Sequence, residues 1–229
     1  MKESDIGLFL HRTSYSESSA IVSYFTRNHG FQKFIFRGAK KKSSHLFPLN
    51  IQEIIAYHRP ESDLGNLSMA ESTMEVQRIP FDAVRSSIAY FLAEILQKCL
   101  THTERDERLF SFLHTQVLKL DQTDNLSLFP SQFLIQLTFY LGIEPQIVDE
   151  NCNSFFLADG EFVYANSPDP HCSNAATEVI LSLLRGEEPV VAPALRKEIL
   201  NVLILYYKLH IENFGNLKTK EIVEAILNS

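Results

Sequence analysis

Apolar and polar positions alternate in short runs between residues 6 and 76, and recur every three or four residues after residue 80. The first texture predicts strands at 6–13, 20–26, 31–37, 51–58 and 67–76. Residues 20–26 (AIVSYFT) are rich in β-branched and aromatic types. The turn Asn28-His29-Gly30 leads into 31–37, and a turn-rich 60–66 leads into the last strand. In 31–37, period 2 puts Lys33, Ile35 and Arg37 on one face and Phe34 and Phe36 on the other. In 51–58 it groups Ile51, Glu53, Ile55 and Tyr57. Five such strands in about 75 residues predict a small closed or nearly closed barrel, because closure removes exposed sheet edges.

The period changes at Ile79-Pro80. Val84, Ile88, Phe91, Leu92, Ile95 and Leu96 form one helical stripe within 81–100; Leu109, Phe110, Leu113, Val117 and Leu120 form another within 107–120. Residues 129–141 are apolar nearly all round, as in a central buried helix, with Gly142 as its stop. Helices are also expected at 175–185, 194–210 and 219–227, the last capped by Thr219. Residues 143–174 read as irregular, with a short hairpin around Asp159-Gly160. The expected fold class is α+β with two domains, a β domain at 1–79 and an all-α domain at 80–229 with an irregular insert around 143–174.

Composition adds little until charge is divided along the chain. The 229 residues are 45% hydrophobic and 21% charged, an ordinary globular balance. No apolar run approaches the ~18 residues of a membrane span, and the N-terminal apolar stretch is too short for a signal peptide. A cytoplasmic chain is expected. Three widely spaced cysteines, Cys99, Cys152 and Cys172, fit a reducing compartment better than a disulfide framework. The net charge of −7 is uneven: residues 1–80 hold 10 Lys/Arg against 8 Asp/Glu, and the rest hold 11 against 20.

No catalytic constellation is visible. The chain has no GxxxxGK[ST], GxGxxG, GxSxG or HExxH. No cofactor is implied, and Asp159 and Glu161 read as solvated. The metal donors are incomplete, since Cys152 lacks a CxxC partner and His171-Cys172 is a single pair. The candidate chemistry is electrostatic. Arg37, Lys40, Lys41 and Lys42, with Lys33 and Arg27 nearby, can neutralise several phosphates. Tyr15, Tyr24, Phe31 and Phe36 can stack on unpaired bases. The alternative is a solvated lysine loop over core aromatics, or a scaffold whose basic loop docks an acidic partner.

The same residues resemble the RecO family of bacterial recombination mediators. The phrases are Arg12-Thr13-Ser14-Tyr15-Ser16-Glu17-Ser18, Ile21-Val22-Ser23-Tyr24-Phe25-Thr26, His29-Gly30 and Arg37-Gly38-Ala39-Lys40. Leu64-Gly65-Asn66-Leu67 and Ala70-Glu71 follow at the end of the barrel. Tyr140-Leu141-Gly142-Ile143-Glu144-Pro145 and the tail from His210 to Thr219 continue the likeness. The resemblance implies an OB-fold barrel followed by a helical domain and a non-catalytic role. It implies binding of single- and double-stranded DNA, strand annealing, partnership with RecR, and contact with the C-terminal tail of single-stranded-DNA-binding protein so that RecA is loaded. Candidate DNA contacts are Lys33, Arg37, Lys40, Lys41 and Lys42, then Arg12 and Arg27, all expected on one outer surface of the barrel. Many members carry four cysteines of a zinc module after the Gly-Ile-Glu-Pro motif. Here only Cys152 and Cys172 remain, so no zinc is expected and the fold of 146–174 stays open.

Overall fold

The computed structural model describes residues 2–37, 46–57 and 64–227. The chain falls into two compact units, 1–123 and 124–229.

Unit one opens with β1 (Lys2–Ser14), β2 (Ser19–Thr26), β3 (Gly30–Arg37), β4 (Ile51–Tyr57) and β5 (Leu64–Ser72). They close in the order β1-β2-β3-β5-β4, with β4 returning to β1. Only the β3–β5 pair is parallel. This is the five-stranded barrel of the OB type. Its interior is the inward row of each strand, including Phe9, Val22, Tyr24, Phe34, Phe36, Ile54 and Leu67. On β4 the row Glu53, Ile55, Tyr57 faces outward, while Gln52, Ile54 and Ala56 are buried. Gln52 is tolerated inside because its Oε1 accepts the Tyr24 hydroxyl at 2.7 Å. That burial pushes the Tyr24 phenol far above its usual range.

The β2–β3 turn is pinned from β1. Asp5, buried, accepts from the Asn28 amide and side chain (3.2 and 3.0 Å) and meets His29 Nδ1 at 2.9 Å; Glu3 meets His29 Nε2 at 3.2 Å. Gly30 turns with φ +67°, and an added Cβ would collide with the backbone of Thr103 and Glu104.

The helices of this unit are α1 (Ala83–Cys99), entered through a 3₁₀ turn at Ile79–Phe81, and α2 (Glu107–Gln122). Asp82 caps α1 and Asp106 caps α2, each accepting the amide three residues on. The expected stripe of α1 is buried except Val84. The neighbouring Arg85 is buried instead, held by Asp82 (2.5 Å) and the Thr123 carbonyl (2.6 Å). The buried Asp121 of α2 accepts the amides of Gln77, Arg78 and Ile79 at 2.7–3.2 Å, which satisfies the backbone between barrel and helices.

Unit two contains α3 (Phe129–Tyr140), β6 (Gln146–Ile147), β7 (Ser154–Phe156), β8 (Glu161–Val163), α4 (Asn174–Leu184), α5 (Pro193–His210) and α6 (Lys220–Leu227). Gly142 follows α3 at φ +70° and Gly186 follows α4 at φ +80°, as helix stops require. The stretch expected to be irregular contains a three-stranded sheet, β6-β8-β7, with the hairpin turn at 157–160. Strands of two or three residues are too short to show a period, so only the turn was legible. Phe155 stacks on Phe162 at 4.4 Å and packs against Tyr206 of α5 at 5.4 Å.

Candidate nucleic-acid interface

Strand pairing decides which cations share a side. Along β3, Phe34 and Phe36 pair with Val22 and Ala20 in the interior, so Lys33, Ile35 and Arg37 face outward. Lys33 and Arg37 are exposed, and among the described residues neither has a carboxylate partner. They are the fixed part of the site.

Phe31 belongs to the same outward row and is nevertheless buried. The segment before α2 covers that end of β3, with the Phe31 amide donating to Thr103 O at 2.9 Å and Phe25 stacked on Phe110 at 6.4 Å. The Arg27 guanidinium lies over the Phe110 ring at 5.3 Å, so this cation is engaged with α2. Lys33 is the first residue of the row beyond that cover.

Arg12 takes the other side. β1 carries a bulge between Phe9 and His11. Phe9 is inward, and straight alternation from it would place Arg12 outward. The extra residue reverses the phase, so His11 pairs with the outward Ser23 and Arg12 with the inward Val22. Arg12 is still exposed, because beyond Leu8 β1 pairs with β2 and no longer with β4. His11, passed over in the sequence, joins the outward row across Ser23 from Lys33. A one-residue bulge leaves no signal in composition, so neither placement is legible from residue types alone. Lys40, Lys41 and Lys42 lie outside the described residues.

The aromatic expectation needs correction. Tyr24 and Phe36 fill the barrel interior and Phe31 lies under the cover described above, so none of the three can stack on a base. Tyr15 alone of the four is available, 59% exposed in the β1–β2 loop. Its amide donates to Ser19 O at 3.0 Å, and Ser19 pairs with Arg37, so the loop and the end of β3 lie at the same end of the barrel.

The metal donor set does not fit zinc. Among the described residues no group of three or more His, Cys, Asp or Glu could hold an ion. Cys172 lies 3.5 Å from Thr177 Oγ1, and burial pushes its thiol up to about 11. Burial pushes the Cys99 thiol up to about 12. Side chains tie residues 146–174 together. Asn153 bridges the amide and carbonyl of Ala165 (2.9 and 3.0 Å), and Asp169 accepts from Leu157 and His171 (3.2 and 2.8 Å).

These features define a two-unit protein led by an OB-type barrel with an outward cationic strand. Among the described residues no helix is long and apolar enough to cross a membrane. Residues 1–74 match the family model for the recombination protein O N terminal domain, and residues 80–221 match that for its C terminal domain. The chain belongs to the RecO family of DNA repair proteins. It is 29% identical over 228 residues to the DNA repair protein RecO of Flavobacterium johnsoniae, covering 93% of this chain and 94% of that one. It is 30% identical over 241 residues to the protein of that name from Porphyromonas gingivalis W83, covering 96% and 97%.

Proposed function

We propose that this chain is a non-catalytic recombination mediator acting in the cytoplasm. It binds single- and double-stranded DNA through the outer side of β3, anneals complementary strands, and with RecR loads RecA onto DNA coated by single-stranded-DNA-binding protein, whose tail it contacts. The observation that carries the reading is the pair Lys33 and Arg37, exposed on one outward row, without a carboxylate partner among the described residues, and shortly followed in sequence by Lys40, Lys41 and Lys42. Cations there lower the repulsion between two phosphate backbones, which is what annealing requires. Arg12, exposed but on the opposite phase to Lys33 and Arg37, is a weaker contact. Arg27 is the weakest, since its guanidinium is engaged with Phe110.

Fluorescence polarisation of a labelled oligonucleotide across a salt series tests this. Lys33→Ala with Arg37→Ala should weaken binding equally for all sequences and lower the salt slope by about two. Equal binding by the double variant, and by Lys40/Lys41/Lys42→Ala, removes this surface from DNA recognition. Absence of any binding at low salt favours a scaffold that docks an acidic protein.

A further inference from the structure

The small sheet of unit two has an open side. β6 pairs only with β8 among the described residues. The Gln146 and Val148 amides donate inward, to Gly160 O at 2.8 Å and Phe162 O at 3.0 Å. The alternation of a parallel ladder then turns the N–H and C=O of Ile147, the residue between them, away from β8. Ile147 and Val148 are 38% and 61% exposed. An unpaired strand edge with apolar side chains is a template for another strand; β6 is short and follows Pro145, but no proline, lysine or bulge sits within 146–148 itself.

The charge around that edge selects the occupant. From residue 120 to residue 184 the chain has no lysine or arginine and nine aspartates and glutamates. Glu144 and Glu150 flank β6 and are exposed, and Glu161 of β8 is the register partner of Gln146. Arg185 lies 4.0 Å from Glu150. A nucleic acid or a second acidic edge is repelled from such a strand.

We propose that the β6 edge docks an extended, lysine- or arginine-bearing segment of a partner protein as an added strand. Main-chain bonds to Ile147 supply the register, and the flanking carboxylates supply the preference for a basic segment. This site is opposite in charge to the β3 surface.

The probe is a labelled peptide of about seven residues alternating lysine and valine, the length of an ordinary strand. The full chain should bind it in a salt-sensitive manner and should not bind the glutamate–valine counterpart. Ile147→Pro removes an outward amide and no bond to β8, and should weaken binding about tenfold. Glu144→Lys with Glu150→Lys should do the same. Peptides N-methylated on alternate residues, in both phases, probe the wild-type chain even where a variant is unstable; one phase should fail to bind. The proposal is overturned if the basic peptide does not bind, if both methylated phases bind like the parent, or if a folded Ile147→Pro chain binds unchanged. It is also overturned if sedimentation shows dimers that Ile147→Pro dissolves, which would assign the edge to a second copy.

Discussion

The barrel and the small sheet of unit two solve the same problem by opposite means. Every barrel strand has two neighbours, so the ladder protects itself and the outward row is left to carry Lys33 and Arg37. β6, β7 and β8 have two or three residues each and two edges, and their cohesion comes from side chains: Phe155 on Phe162, Tyr206 from α5, and the Asn153 and Asp169 bridges. A closed ladder can be decorated with charge at little cost to its stability. An open one depends on a few large side chains and keeps an edge available.

The sharpest break of this contrast is Phe155→Ala. Phe155 is fully buried, and truncation should cost ~3–5 kcal/mol. Urea unfolding followed by far-ultraviolet circular dichroism should show unit two melting earlier while the barrel transition stays put; a uniform shift of one transition would show that the units unfold together. Gly30→Ala strikes the barrel at the β2–β3 turn. The positive φ alone costs about 1–3 kcal/mol, and the backbone at Thr103 and Glu104 must also move. Thermal melts should place it below every single substitution on the outward row. An unchanged melting temperature would show that the turn and its cover are loosely joined.

The smallest effect concerns Asp82. The Arg85 amide, with further help from the Arg85 side chain, holds its carboxyl below the usual range even though partial burial opposes this. A depressed folded pKa contributes stability above the unfolded value of about 3.9 and loses it as pH falls through the folded value. Asp82→Ala should therefore cost ~1 kcal/mol at neutral pH, and the gap to wild type should close below about pH 4. A gap that persists in acid would assign the effect to the backbone instead of the cap.

Much of the barrel was legible because alternation is a direct statement about sides. Phe34 and Phe36 against Lys33 and Arg37 read correctly from five letters. Phe31 did not, because its burial comes from the segment at Thr103, about 70 residues away, and period 2 knows nothing of tertiary cover. Val84 and Arg85 exchanged their expected places for a related reason: a guanidinium with two acceptors can be buried, and its acceptor at Thr123 is invisible locally. The helices were legible to within a residue or two at their ends, since Gly142, Gly186 and the apolar stripes are strong local signals.

The extra residue in β1 makes that strand two rulers joined by a slip coupling. The proximal half is indexed from β4 and the Asp5 turn, the distal half from the β1–β2 loop, and Leu10 absorbs the mismatch. A chain one residue shorter at this point could therefore keep His11 opposite Ser23 and Arg12 opposite Val22. In this strand a change of length is absorbed at the coupling, and the guanidinium keeps its address.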